Sequence, residues 1–299
     1  MLRISEITKR YSWGAKPAVD RVSLELDTGE VVGLVGLNGA GKTTTIRVAT
    51  GVLLADSGQV EADGLSLKDR KVEASRLIGW VPEQPTHDSF SSVGSLIRYY
   101  SDVARNVPRG RGERLLDCWG MRDLGRKRFR ELSLGYRRRL AVVVASLTDP
   151  KYFLLDEPFN GLDPLATVQF RNWIARLRDE GRGVLLSSHL LREVQSLCQR
   201  IVVIHHGRIL SSIKSTDLAR TVQRRVTLIL KRVDPGVISI LEPLGEVTSS
   251  EHSVTVTGTG VEPGQVNSLL VNAGYSVEGL SADDDNLEEF FLRTVNGAS

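Results

Sequence analysis

Two groups of residues in this chain have the types and spacing for phosphate chemistry. The first is Gly36-Leu37-Asn38-Gly39-Ala40-Gly41-Lys42-Thr43, a G-x-x-x-x-G-K-[ST] run. Glycines at 36, 39 and 41 permit backbone conformations closed to residues with a Cβ, so that successive N–H groups from Asn38 through Ala40 to Thr44 converge on phosphate oxygens. Lys42 then reaches the β and γ phosphates as a point charge, and the Thr43 hydroxyl takes one position on Mg²⁺. At average residue frequencies such a run arises by chance in roughly one chain of this length in a hundred, which makes an ordinary glycine turn the weaker reading. The second group is Asp156-Glu157, behind the apolar run Tyr152 to Leu155. With a phosphate loop in the same chain, Asp156 is the carboxylate for Mg²⁺, and Glu157 is the base that orients and deprotonates the water attacking the γ-phosphate.

These residues need strand ends and helix starts to hold them. Val31-Val32-Gly33-Leu34-Val35 reads as a strand feeding the glycine loop, and Thr44 to Ala49 as the helix that it opens, which places the loop at a helix's positive end. Tyr152 to Leu155 reads as a buried strand. Pro158 stops it, Phe159 to Pro164 is turn chemistry, and Pro164 to Glu180 is a helix with proline at its start. Gly183 to Ser188 is strand-like and ends at His189. Near the N-terminus, Leu2 to Ile7 and Val22 to Leu26 alternate at strand period. Ser91 to Val103 and Gly112 to Gly120 read as helices, and Ile201 to Ile204 with Arg208 to Leu210 as a hairpin turning at His205-His206-Gly207. Both of those histidines read as turn residues.

The 299 residues, 41% apolar and 25% charged, suffice for one large domain or a large and a small one. No stretch approaches 18 consecutive apolar residues, and the N-terminal segment carries Arg3, Glu6, Lys9 and Arg10, so membrane insertion and secretion are not expected. Cys118 and Cys198 lack a C-x-x-C partner and read as reduced packing residues. Net charge is only +3, yet basic residues gather between Arg122 and Arg139. The cluster reads as a solvated helix face steering ATP, with attraction to phospholipid headgroups or to a membrane subunit's cytoplasmic loops as the other reading. No interleaved aromatics or reading motif points to nucleic acid.

From the N-terminus to about residue 215, the order of these parts resembles the ATP-binding subunits of ABC transporters. The resemblance implies an α/β fold, a P-loop ABC-type ATPase core (1–215) with an antiparallel β subdomain and a helical subdomain. Tyr11 resembles the aromatic that stacks on adenine, with Trp13 as a rival. In Leu132-Ser133-Leu134-Gly135-Tyr136, Ser133 and Gly135 resemble the signature segment that contacts the γ-phosphate held by the opposite subunit. Asp163 resembles the loop aspartate that crosses the dimer interface, and His189 the histidine that senses the γ-phosphate. The family architecture implies ATP and Mg²⁺ between two head-to-tail subunits, a homodimer or a pair with a related chain. It also implies an integral membrane partner, and a place on the cytoplasmic face of the cell membrane.

Several positions depart from the family pattern. In Ile78 to Gln84, read as the loop that offers a glutamine to Mg²⁺ and to the membrane partner, Glu83 takes the glutamine's place by spacing from Gly79; Gln84 serves instead if the loop shifts by one. In the signature, Leu134 replaces a glycine, and Tyr136 and Arg138 replace glutamines. Similar substitutions occur in the branch that serves exporters with separate membrane subunits, which favours export. The alternative is a soluble ATPase of the same family in translation or DNA repair. The first would normally carry two nucleotide domains, and the second would insert a coiled coil or zinc modules before the signature. A P-loop GTPase is excluded by the absence of N-K-x-D.

Beyond residue 215 the motifs end. Strands at Val226 to Leu230, Ser253 to Thr257 and Tyr275 to Leu280, with helices at Val237 to Leu241, Pro263 to Ala273 and Leu287 to Val295, indicate a small α+β domain (216–299). It resembles the accessory domain of several exporter ATPases, and Asn286 to Leu292 their closing helix. Asp283-Asp284-Asp285 reads as a solvated turn and helix cap in preference to a cation site.

Overall fold

The computed structural model describes residues 1–12, 14–217, 223–284 and 287–297. Trp13, Asp285 and Asn286 lie outside the described residues, as do the side chains of Asp283 and Asp284, so the second adenine candidate and the acidic run have no structural account. The chain divides into two units, Met1–Ser212 and Ile213–Ser299.

In the first unit, β1 (Leu2–Lys9) pairs antiparallel with β2 (Val19–Leu26) and β4 (Ser57–Ala62), and β5 (Leu65–Ser66) completes a four-stranded sheet in the order β2-β1-β4-β5. One face of β2 is buried residue by residue in alternation, as a sheet with one covered face requires. The second sheet has the order β10-β9-β3-β8-β7-β6, formed by β3 (Val31–Val35), β6 (Ile78–Val81), β7 (Tyr152–Asp156), β8 (Gly183–Ser188), β9 (Arg200–His205) and β10 (Arg208–Lys214). Strands β9, β3, β8, β7 and β6 pair in parallel, and β3, β7 and β8 are buried along their whole length. Continuous apolar runs are what parallel strands covered on both faces need.

Helices close these faces. Helix α1 (Lys42–Ala49) follows β3, α2 (Lys71–Arg76) precedes β6, and α3 (Val93–Ala104), α4 (Arg111–Cys118) and α5 (Leu134–Ala145) lie between β6 and β7. Helix α6 (Pro164–Asp179) starts on a cap by Asp163, whose Oδ1 accepts from the Ala166 N–H at 2.8 Å. Trp119, Phe153, Phe170 and Trp173 pack edge-on with centroids 5.2–6.1 Å apart, fixing α6 against β7. Helix α7 (Leu191–Leu197) sits so close to β3 that a Cβ on Gly33 would meet Val194 Cγ1 at 2.4 Å.

The segment Ile78 to Val81, read from sequence as loop, is an edge strand. Gly79 disguised it: a Cβ there would fall 2.7 Å from Pro150 Cγ, so the strand keeps a glycine that breaks its β signature. Cys198 is buried as expected of a packing residue, whereas Cys118 is exposed.

The second unit runs β11 (Gln223–Leu230), helix Pro235–Leu241, β12 (Glu246–Ser249), β13 (Ser253–Thr259), helix Pro263–Asn272, β14 (Val277–Asp284) and a closing helix Leu287–Asn296. Its sheet order is β12-β13-β11-β14 with antiparallel neighbours, the split β-α-β-β-α-β arrangement. Val226, Leu228, Val254 and Val256 form its core with Val237, Leu241, Val266 and Leu270 from the helices. Strand β12 is absent from the sequence reading because four residues with one apolar side chain carry no alternation.

Candidate functional site

The register of three neighbouring strands assembles the site. Val35 of β3 lies beside Ser188 of β8, and Asp156 of β7 beside Ser187 of β8, so the strands end level and deliver Gly36, His189 and Glu157 to one edge. A crevice at the carboxyl ends of parallel strands is the usual place for a ligand in such a sheet. Residues 37–44 line a cavity of about 580 Å³ together with Tyr11, Ala18, Glu83, Glu157, Asn160 and His189.

The glycine loop is held close at both ends. Gly41 has φ 108°, and a Cβ there would approach Ala18 O to 2.6 Å; at Gly36 a Cβ would approach Ile204 O to 2.4 Å. At Gly41 only glycine satisfies both the conformation and the space, and at Gly36 the space alone requires it. Lys42 turns back over the loop, donating to Gly36 O at 2.7 Å and Leu37 O at 3.4 Å, and its Nζ is 3.3 Å from Glu157 Oε1.

Glu157 also accepts from His189, whose Nδ1 is 2.8 Å from Oε2 and whose backbone N–H is at 3.3 Å. Lys42, Glu157 and His189 thus form one chain of charge-assisted contacts across the cavity floor. Beneath it, Asp156 Oδ1 accepts from Thr43 Oγ1 at 3.1 Å and Ser187 Oγ at 2.7 Å. Burial raises the Asp156 carboxyl above its ordinary range; those two hydrogen bonds oppose the shift, and the charges of Glu83 and Glu157 add to it.

Glu83 lines this cavity, with Asn160 Nδ2 3.5 Å from its Oε1, while Gln84 lines a neighbouring cleft with Trp80, His87 and Tyr100. Tyr11 is exposed at the mouth, its hydroxyl 3.1 Å from Thr44 Oγ1. Ser133 caps α5 by accepting from the Tyr136 N–H, with Gly135 in the first turn. Ser133, Gly135 and Asp163 do not line the cavity.

Two polar partners escaped the sequence reading. Ser187 serves Asp156 and also accepts from the Glu157 N–H at 3.0 Å; a serine pair inside the buried run Leu185 to Ser188 was its signal. Asn160 was hidden in a turn. Arg138 overturns an expectation: no member of a solvated face, it is 3% exposed and donates to the backbone carbonyls of Glu83, Glu157 and Pro158.

A family model described as ABC transporter matches residues 19–160. The bacitracin transport ATP-binding protein of Bacillus licheniformis is 28% identical, over 100% of this chain and 98% of that one. The lipopolysaccharide export system ATP-binding protein of Escherichia coli K12 is 31% identical, over 73% of this chain and 92% of its own length. Among solved structures, an ATP-binding subunit of an ABC transporter superposes with TM-score 0.67 at 28% identity, covering 74% of this chain and 92% of that one. A dimeric bacterial ABC transporter cassette gives TM-score 0.66 at 21% identity over 72% of this chain and 99% of its own, a likeness of fold.

Proposed function

The chain belongs to the family of ABC transporter ATP-binding proteins, and from that premise we propose that it hydrolyses ATP as the motor of a separately encoded membrane transporter. The observation that carries this is the contact chain Lys42–Glu157–His189 above the Thr43–Asp156 hydrogen bond, all at one phosphate-sized edge of the sheet.

Each group has a task in that reaction. Loop N–H groups from Gly36 to Thr44 and the Lys42 ammonium bind the β and γ phosphates, drawing Lys42 off Glu157. Glu157, so released, accepts the proton of the attacking water, and His189 orients it. Tyr11 stacks on adenine. The Thr43 hydroxyl and the Asp156 and Glu83 carboxylates form a hard oxygen set suited to Mg²⁺, and the buried charge of Asp156 favours a cation beside it. When bound, Mg²⁺ neutralises charge on the phosphates. We assign the glutamine-loop position to Glu83 in preference to Gln84, since Glu83 faces the cavity.

Because Ser133, Gly135 and Asp163 lie outside their own subunit's cavity, we assign them to a second subunit's nucleotide, which makes the active unit a head-to-tail dimer, of two copies or with a related chain. ATP binding closes the dimer and loss of the γ-phosphate releases it. We take 1–215 as the nucleotide-binding domain and 216–299 as an accessory domain. Among the described residues no helix is long and apolar enough to cross a membrane, so the membrane path belongs to a partner, with this chain on its cytoplasmic face and no role for nucleic acid. Relatives named for bacitracin transport and lipopolysaccharide export support outward transport over a translation or repair role. The test is mass spectrometry of what co-purifies with the tagged chain from gently solubilised membranes of its own cells. We expect an integral membrane protein in proportion; ribosomal or repair proteins in its place would overturn the transport reading.

A further inference from the structure

The sequence reading gives the basic residues between Arg122 and Arg139 a surface role, and Arg138 does not have one. It projects from the second turn of α5 into the interior, where its guanidinium meets three backbone carbonyls. Nη1 donates to Glu157 O at 2.9 Å and to Pro158 O at 2.8 Å, and Nη2 donates to Glu83 O at 3.2 Å. Two of these carbonyls belong to residues whose side chains line the nucleotide cavity. A buried guanidinium costs several kcal/mol of lost hydration, roughly, unless its donors are matched and its charge is answered. Burial lowers its pKa, the charges of Glu83 and Glu157 oppose that shift in part, and its Nε has no hydrogen-bond partner, so the three carbonyls carry its hydrogen bonding.

The backbone at Glu157 explains what this cation holds. Glu157 has φ 46°, in the left-handed region that disfavours residues with a Cβ by about 1–2 kcal/mol. The strand turns there, with the carboxylate beside Lys42 and His189; the Glu157 carbonyl accepts from the Asn160 N–H at 3.2 Å as well as from Arg138, and Arg138 also takes the next carbonyl, that of Pro158. The planar fork of an arginine matches two adjacent carbonyls and still reaches a third; an ammonium has no such fixed geometry. The helix that carries Arg138 also begins at Ser133, which we have assigned to the second subunit's nucleotide.

We propose that Arg138 is a positioning residue for hydrolysis. It clamps the turned backbone of Glu157 and the loop at Glu83 to the signature helix, so that the aim of the base in one nucleotide site moves with the helix that completes the other. The proposal rests on the ATPase reading above and deepens it.

The test compares the full-length parent with Arg138→Gln and Arg138→Lys. Three quantities are read: ATP turnover, its Hill coefficient for ATP, and affinity for a fluorescent ATP analogue, each with a thermal-melting control. A base misaimed by an ångström loses about 10–100-fold in turnover, and that loss is expected for Arg138→Gln with analogue affinity within about threefold of the parent. The Hill coefficient falls toward one, and Arg138→Lys recovers part of the turnover by keeping the charge. Turnover within twofold of the parent in both variants overturns the proposal. So does an equal loss of affinity and turnover in Arg138→Lys, because that marks a residue that only holds the fold together. A parent that binds the analogue and never hydrolyses ATP defeats the ATPase reading instead.

Discussion

Lys42 Nζ and Glu157 Oε1 lie 3.3 Å apart, with both side chains more than nine-tenths buried. The group we assign to phosphate and the group we assign to water activation therefore neutralise each other. In the proposed reaction, phosphate oxygens compete with Glu157 for the same ammonium, so that binding of ATP frees the base. The arrangement keeps each buried charge compensated in both states.

Replacing Glu157 by glutamine separates these roles. Glu157→Gln keeps the shape and one hydrogen-bonding oxygen but removes the anion that competes with phosphate. ATP turnover is expected to fall by at least about 100-fold, the usual contribution of a general base, while ATP affinity holds or tightens. Steady-state hydrolysis and binding of a fluorescent ATP analogue measure the two effects. Hydrolysis at the parent's rate would remove Glu157 from the role of base.

How much of this was legible in the sequence depended on the kind of signal. The glycine loop, the Asp156-Glu157 pair and His189 were legible because each follows an apolar run that can only be a buried strand, and strand ends are where a parallel sheet presents chemistry. The edge strand Ile78–Val81 was not, since Gly79 is there for close packing against Pro150 and erases the β pattern. Arg138 was not legible either. It stands between Arg137 and Arg139, and only the path of the backbone at Glu157, 19 residues further along the chain, decides which of the three turns inward. Our proposed preference for Glu83 over Gln84 likewise rests on the loop's course after Val81, which brings Glu83 to the cavity.

Asp156 ties a second prediction to pH. Burial raises its folded pKa above the unfolded value of about 3.9. A carboxyl with a raised folded pKa contributes stability that is present below its unfolded pKa and lost as pH rises through the folded one. Without metal, Asp156→Asn is therefore expected to melt higher than the parent near pH 7, with the difference shrinking as pH falls toward about 4. The same variant loses the extra stabilisation that Mg²⁺ adds to nucleotide. Thermal melting with a chelator, then with ATP and Mg²⁺, reads both; a variant less stable than the parent in chelator at neutral pH contradicts the account.

The opposite sign applies at Asp63, which does not line the cavity. Burial works against its charge, yet hydrogen bonds from Lys151 Nζ, the Met1 ammonium and Tyr152 Oη outweigh it and hold the carboxyl well below the usual range. Its contribution is present above the unfolded pKa and lost as pH falls through the folded one. Asp63→Asn should thus be less stable than the parent at neutral pH and should approach it under strongly acidic conditions. Tyr152 is a fully buried core residue whose hydroxyl would lose its acceptor's charge. Chemical denaturation at several pH values checks the trend, and equal stabilities at pH 7 would mean that the three donors hold nothing together.

The division of the site between subunits can be tested without a structure of the dimer. Lys42→Ala removes the phosphate-loop cation, and Ser133→Arg blocks the start of α5 with a bulky charge. If each nucleotide lies between the loop of one subunit and the signature of the other, either variant alone is inactive, because both sites of its homodimer are broken. A mixed dimer is different. One of its two sites joins the substituted loop to the substituted signature and is dead twice over; the other joins an intact loop to an intact signature. Mixing equal amounts should place half of the chains in mixed dimers with one working site each, which restores about a quarter of the parent's turnover if sites act independently. Cooperation between the sites lowers that figure. No recovery at any ratio, under conditions where size measurements show subunit exchange, would place Ser133 on its own subunit's nucleotide and end the head-to-tail assignment.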